Sequence, residues 1–392
     1  MESIRDKVAI VGMGCTKFGE LWDKGPDQMM IEAAYEAFED AGIEPKDLQA
    51  AWLSTVWTGE VGTFLTQGLR IPYLPVTRVE NRCSSGTDAL RNAAFSIAAG
   101  KYDIVLVLGV EKLKDSGWSG LSMGLLNTHP VISWHRVTPP SEFALRATRY
   151  FERYGLDPET GKETIAKIAV KNHYNGSLHP KAHFQKEVSL EQVVNAPLVA
   201  WPLGLFDCCG VSDGAAAAIL VRGDMAKNFR DDPLFIKGLG LCCGAGNDQM
   251  LQDHDLTHFE ENVRAGNEAY AEAGITDPFK EIGLAQVHDC FTITELITYE
   301  DLGFCPRGQA KDYIDSGTFT LNGELPVNSD GGLKCFGHPV GASGLRMIYE
   351  NYKQIQGKAG AHQIKKPPTM GLTHNLGGAY GGWTIAVSII GV

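Results

Sequence analysis

Apolar residues occur in this chain in two rhythms: short solid runs, and stretches that recur at helical spacing. The runs include VAIVGMG from Val8, Gln49 to Leu53, Leu74 to Val79, Ile104 to Leu108 and Ala215 to Val221. A second set is LFIKGLG from Leu234, Gly283 to Val287, Thr369 to Leu372 and Thr384 to Ile390. Runs this short, bounded by Gly and polar residues, predict buried strands, and the amphipathic stretches between them predict helices. The chain also repeats itself. Glu36 to Ile43 reads EAFEDAGI and Glu268 to Ile275 reads EAYAEAGI, each after one strand and before the next. Two alanine-rich helices can look alike by chance, but the later strands match in the same order.

The repeat predicts a duplicated α/β fold with twofold pseudosymmetry. Alternation of strands and helices predicts mostly parallel sheets covered on both faces. Functional groups then gather at corresponding strand ends in the two halves. Residues 115–205 break the repeat and read as an inserted domain of helices and loops. The first half comprises 1–114 and 206–230, and the second comprises 231–392. The GxG at Gly238 to Gly240 lacks the rest of a dinucleotide fingerprint and reads as a turn.

Composition narrows the class. At 392 residues, with about 150 per domain, the chain holds two or three domains. Its 44% hydrophobic and 21% charged residues are ordinary for a globular protein. The apolar runs fall well short of the roughly 18 residues that span a bilayer, and MESIRDKVAIVG lacks the apolar core of a secretory signal. Nine cysteines without scaffold spacing point to reduced thiols and a cytoplasmic setting. A net charge of -12 argues against nucleic acid as the main partner. Basic residues still concentrate in the insert: Arg136, Arg146, Arg149, Lys162, Lys167, Lys171, His173, Lys181 and Lys186. Such a cluster suits a phosphate-bearing ligand or, more blandly, a solvated surface.

Metal-ligand spacing is absent. Cys208–Cys209 and Cys242–Cys243 are adjacent pairs, and His173, His179 and His183 have no carboxylate between them. Chemistry concentrates instead at Glu80 to Asn92, ENRCSSGTDALRN, where a strand passes through Cys83 into a helix. The positive end of that helix favours thiolate and predicts a pKa below the usual ~8.5. A small buried thiol in a tight turn is the competing reading. Three further segments supply partners. VHDCFTITE sets His288 and Cys290 at a strand end, with Thr292 and Glu295 spaced as a capping box. NSDGGLKCFGHPVGASG sets His338 between a Gly-rich turn and a helix start, at the point corresponding to Cys83. HNLGG follows a strand and allows close backbone approach at Gly377 and Gly378.

In this order ENRCSSG, PLGLFDCCGVSDGAAAAILV, HDCF, NSDGG with GHPVGASG, and HNLGG resemble the thiolases over nearly the whole chain. HDCF, HNLGG and KNHYNGSLHPKAHF (Lys171 to Phe184) resemble the branch of archaeal and sterol-carrier-protein-type thiolases. The resemblance implies a thiolase fold, with βαβαβαββ halves in a five-layer αβαβα arrangement and an inserted loop domain. It implies reversible Claisen exchange between acyl-CoAs in lipid metabolism, with CoA as cosubstrate and no other cofactor. Cys83 would accept the acyl group and His338 its proton. His288 would help hold the enolate, Cys290 would move the α-proton, and Asn375 stands where the other branch has a cysteine. The N–H groups of Cys83 and Gly377 would form the oxyanion hole, with His288 and His338 as the enolate donors. CoA would meet Lys171, His173, His183, Gly341 and Ser343, and His374 is close but takes no assigned role. Trp57, Phe64, Trp118, Trp134 and Phe291 can line a wide site or simply pack the core. The resemblance also implies a homodimer or dimer of dimers and an OB-fold, zinc-ribbon partner. Two alternatives stand beside it: a thiolase-like aldolase acting on a bulky CoA thioester, and a non-catalytic scaffold subunit.

Overall fold

The computed structural model describes residues 3–115, 138–244, 255–379 and 382–392. Eleven strands are named in chain order. In the first half they are β1 (Val8–Cys15), β2 (Ala50–Ser54), β3 (Val76–Val79), β4 (Ile104–Glu111) and β7 (Gly214–Arg222). The insert holds the two-stranded pair β5 (Leu198–Ala200) and β6 (Leu203–Gly204). The second half holds β8 (Leu234–Cys243), β9 (Leu284–Gln286), β10 (Met370–Ala379) and β11 (Gly382–Gly391).

Nine strands run in the order β3-β2-β4-β7-β1-β8-β11-β10-β9. Within the sheet, the described strands of the two halves join through the short β1–β8 pairing at Ala9–Phe235 and Ile10–Leu234. Beyond β9 a single parallel bridge from Ala285 to Val327 stands where the first half has β3. The halves therefore repeat one strand order, as the sequence repeat predicts. Strand direction is different from the expectation. Only β2–β3, β2–β4 and β9–β10 run parallel among the described pairings, and the others are antiparallel. The cause is local. β7 starts opposite the residue where β4 ends (Glu111 beside Gly214), so the insert returns the chain to the end it left. β10 and β11 are joined by only two residues, a connection that permits antiparallel neighbours alone.

Five layers stack around these strands. Helix Pro26–Ala41 covers β1, β7 and β4 on one outside, and helix Glu260–Ala273 covers β8 and β11 on the other. Both carry the repeated sequence, and both stop on a left-handed glycine, Gly42 at φ 68° and Gly274 at φ 70°. Helices Ser85–Ala98 and Val340–Ile355 form the central layer and touch strands of both halves. The GxG of β8 is not a turn. A Cβ on Gly240 would sit 2.0 Å from the Ala265 carbonyl oxygen, so the glycines let the outer helix rest on the strand backbone. Gly12 and Gly14 do the same for the first half.

The two central helices cross at glycines near their N-termini. A Cβ on Gly344 would lie 2.5 Å from the Thr87 nitrogen, and one on Gly86 would lie 3.1 Å from the Gly344 nitrogen. Cys83 and His338 each stand two residues before the start of their helix. This crossing therefore brings the two helix entries together. Leu90, Ala93, Leu345 and Ile348 bury the interface between them in one apolar cluster shared by both halves. Among the described residues no helix is long and apolar enough to cross a membrane.

Candidate active site

The turn that presents Cys83 is built by its own side chains. Arg82 takes a left-handed φ of 53°, and Asn81 bridges to Cys83. Ser85 Oγ donates to the Arg82 carbonyl at 2.5 Å and accepts from the Asn81 N–H at 2.8 Å. Ser84 Oγ reaches across to the carbonyls of Asn375 (3.0 Å) and Thr384 (2.6 Å), tying the turn to β10 and β11. Gly377 of β10 packs against it so closely that a Cβ would stand 3.0 Å from the Cys83 nitrogen. The expected lowering of the thiol pKa is not found. Burial pushes Cys83 up to about 12, against the opposing pull of Arg82 and its own backbone N–H. Desolvation outweighs the helix end, so the resting group is a thiol.

His338 supplies the missing base. Ser343 Oγ donates to the Pro339 carbonyl at 2.9 Å and so accepts, at 2.7 Å, from His338 Nδ1–H. That bond fixes the tautomer and leaves Nε2 with its lone pair, buried and without a protein partner among the described residues. Burial, helped by Arg346, pushes the imidazole down to about 3, which keeps it neutral. His288 meets it edge-to-face, ring centroids 5.3 Å apart. Burial followed by His338 holds His288 well below the usual histidine range. Cys83 Sγ and one nitrogen of each imidazole lie within 4.8 Å of one another. Sulfur and bases from distant segments thus converge on one point.

Cys290 joins this group. Burial raises its thiol pKa, and its next neighbours in charge are Cys209 and Cys83. The Cys209 N–H donates to the Cys290 carbonyl at 2.9 Å, beside a Cys208–Phe291 bridge. In the sequence Cys208–Cys209 is only an adjacent pair unsuited to metal, and nothing there marks Cys209 as a third thiol of this group.

Two buried carboxylates hold the segments in place. Asp289 accepts from the N–H groups of Leu333 (2.6 Å) and Lys334 (3.2 Å) and from Asn172 Nδ2 (2.9 Å). It thereby clamps HDCF to the helical turn that precedes His338, a role no motif signalled. Glu295 accepts from Lys171 Nζ (2.6 Å), Asn172 Nδ2 (2.7 Å) and Asn328 Nδ2 (3.0 Å), and Tyr299 also donates to it. The expected capping box is therefore not formed. Thr292 sits inside the helix Thr292–Asp301 and donates to Asp207, while Glu295 turns inward to the lysine.

His374 has a supporting place. Its Nδ1 accepts a long 3.4 Å bond from the His288 N–H, and Nε2–H donates to Asn262 Oδ1 at 2.9 Å. Asn375 accepts from Thr87 Oγ1 at 2.6 Å, so it fastens β10 to the Cys83 helix.

The residues expected at CoA scatter. Gly341 and Ser343 are fully buried, Gly341 accepting from Ser54 Oγ (2.6 Å) and Ser343 serving His338. Lys171 is committed to Glu295 and lines a separate cavity of about 560 Å³ with Ile168, Tyr174, Val188, Phe319 and Leu321. His173 Nδ1 bonds the Lys186 carbonyl at 3.1 Å. His183 stays near the site, bonded to Ser212 (2.9 Å), whose Oγ lies beside Gly337. Much of the basic cluster is likewise paired: Lys162 with Asp207, Lys167 with Asp315, Lys181 with Glu36 and Arg149 with Glu152. Trp57 and Arg82 stack beside Cys83 (5.8 Å), and Phe291 stacks on Phe143 (4.7 Å). Arg136, Trp118 and Trp134 lie outside the described residues.

Family models for the thiolase N-terminal domain and the thiolase C-terminal domain-like region match residues 8–224 and 244–390. The chain belongs to the thiolase family. It is 37% identical to an acetyl-CoA acetyltransferase of Methanothermobacter thermautotrophicus, over 97% of this chain and 98% of that protein. It is 32% identical to the benzoylsuccinyl-CoA thiolase subunit BbsB of Thauera aromatica, over 95% of both chains. Chicken (Gallus gallus) sterol carrier protein 2 is 32% identical over 95% of this chain and 70% of its own. Among solved structures, the Ltp2-ChsH2(DUF35) aldolase superposes with a TM-score of 0.85 at 27% identity, over 100% of this chain and 99% of that one. These relatives support an acyltransferase of the sterol-carrier-protein-type branch.

Proposed function

We propose that this thiolase-family chain catalyses CoA-dependent, reversible cleavage or Claisen condensation of a 3-oxoacyl-CoA through an acyl group on Cys83. The convergence of the Cys83 sulfur with unprotonated His338 and His288, beside Cys290, carries this reading. Cys83 attacks the thioester or 3-oxo carbonyl as its proton passes to His338 Nε2, so thiolate forms only during attack. The developing oxyanion meets the N–H groups of Cys83 and Gly377. The α-carbon released as an enolate is held by His288 and His338 and exchanges its proton with Cys290. Splitting the exchange into two half-reactions lets one cleft serve both carbonyls. A carbon acid next to a thioester needs a positioned base and an enolate hole together, and every part has a candidate here.

Relatives named acetyl-CoA acetyltransferase and benzoylsuccinyl-CoA thiolase support two acyl classes: acetoacetyl-CoA at the small end and a larger aromatic ester at the other. A cytoplasmic homodimer with an OB-fold, zinc-ribbon partner of the DUF35 type accompanies this reading. The aldolase superposition favours a second reading, retro-aldol cleavage of a bulky CoA thioester. A panel of 3-oxoacyl-CoA and 3-hydroxyacyl-CoA esters, assayed with and without free CoA, separates the two. Cleavage that requires CoA supports the thiolase. Cleavage that proceeds equally without CoA, leaving no acyl mass on the Cys83 peptide, overturns it. A Cys83→Ala chain that kept its biological activity would leave only a scaffold role.

A further inference from the structure

The atoms that converge at Cys83 offer more than proton transfer. His338 Nε2 and His288 Nδ1 lack protein hydrogen-bond partners among the described residues. With Cys83 Sγ, the group presents one sulfur and two imidazoles within 4.8 Å. In a tetrahedral zinc site, Zn–S near 2.3 Å and Zn–N near 2.0 Å set ligand atoms roughly 3.3–3.6 Å apart. Small side-chain rotations cover that difference. Ser343 on the far nitrogen of His338 is the kind of outer partner that orients a metal-bound histidine.

A second buried trio, His179, Glu350 and His362, meets the same distance limit but has the wrong protons. The Lys181 N–H donates to His179 Nδ1 at 3.0 Å, so His179 Nε2 carries hydrogen and faces Glu350 as a donor. Glu350 is already satisfied by Ser329 (2.7 Å), Gln354 (2.8 Å) and His362 (3.1 Å). That trio is a hydrogen-bonded cluster whose facing groups already serve one another.

We propose that Cys83, His288 and His338 form a binding site for a soft divalent cation, zinc by their donor chemistry, which blocks the thiol reversibly. On binding, the Cys83 S–H bond breaks, an S–metal bond forms and the proton leaves to solvent, with no change of oxidation state. One coordination position stays open to water or to Cys290. Three protein ligands with an open fourth place is the arrangement of exchangeable rather than structural zinc. No ligand spacing betrays the site in the sequence, because its donors come from three segments.

Cobalt(II) is the probe, because thiolate ligation gives it a near-ultraviolet charge-transfer band and tetrahedral geometry gives strong visible bands. The full-length chain, free of acyl-CoA, is titrated with cobalt and then with zinc. The expected result is a thiolate band saturating near one cobalt per chain and erased by zinc. The band should vanish in Cys83→Ala and in wild-type chain alkylated at Cys83, which needs no refolded variant. It should persist in the Cys242→Ser, Cys243→Ser double variant, which removes the more exposed thiol pair. A band that survives loss of Cys83, or that disappears with Cys242 and Cys243, assigns the metal to an adventitious surface site and overturns the proposal. Absence of any thiolate band also overturns it. The readout needs no turnover, so it stands or falls apart from the assigned reaction.

Discussion

At the scale of single residues, the decisive quantity is the protonation of two groups. An isolated helix-capped cysteine would be expected to ionise, yet Cys83 is pushed the other way by burial. The burden of activation then moves to His338, and with it to Ser343, which alone decides where the imidazole carries its hydrogen. Ser343→Ala should therefore lower kcat about 10-fold to 100-fold while KM for acyl-CoA changes little, since the hydroxyl points away from the site. Steady-state kinetics on a 3-oxoacyl-CoA checks this; an unchanged kcat would mean the tautomer is held by something else. Ser343→Thr, which keeps the hydroxyl, should recover most of the loss.

At the scale of elements, the crossing of the two central helices is the feature on which the site geometry hangs. Gly344→Ala introduces a Cβ 2.5 Å from the Thr87 nitrogen, a backbone atom that cannot swing aside. Overpacking of this kind costs about 1–3 kcal/mol. The variant should melt earlier than wild type and lose activity out of proportion to its stability, measured by calorimetry and kinetics on the same sample. Helix Val340–Ile355 is also anchored at Glu350. Burial would raise this carboxyl, but His362 and His179 hold it below the usual carboxylate range. Burial would lower His362, but Glu350 holds it above the usual histidine range. The Glu350 contribution is present above the ordinary carboxylate pKa and lost as pH falls through its depressed value. The His362 contribution is present below the ordinary histidine pKa and lost as pH rises through its elevated one. The pair is thus worth most between about pH 4.5 and pH 6.5. Removing one partner of a buried pair costs about 3–5 kcal/mol. His362→Ala should lower Tm, with the deficit widest near pH 5.5 and narrower near pH 9; thermal melts across that range give the test. A deficit that grows with pH would contradict the pairing.

At the scale of the whole molecule, two halves share a central apolar cluster. Leu90 and Val105 from the first half pack in the same cluster as Leu345, Ile348 and Ile390 from the second. Unfolding should therefore be concerted. Fluorescence from Trp52 in β2 and Trp383 in β11, each isolated by replacing the other tryptophans with Phe, should report coincident denaturation midpoints. Two separated transitions would show that the halves stand alone. The duplication, the strand order and the meeting of Cys83 with His338 were legible in the sequence, because periodicity and repeat carry them directly. What escaped was decided by tertiary neighbours. Strand direction at β7 depends on where the insert returns the chain. The sign of the Cys83 shift depends on burial. The basic residues of the insert looked free because their partners, such as Glu295 for Lys171, lie far along the chain. Asp289 and Cys209 carried no motif of their own, and only the folded proximity of HDCF to the His338 turn gives them meaning.

The whole account rests on an acyl group passing to one sulfur with the help of one imidazole from the opposite half. Wild-type and His338→Ala chains are incubated with acetyl-CoA, quenched in acid at matched times, digested and mapped by mass spectrometry. Acetyl on the Cys83 peptide of the wild type, slowed at least 100-fold in His338→Ala, is the predicted outcome. Acetyl found instead on Cys209 or Cys290, or turnover with no acetylated cysteine at all, would contradict it.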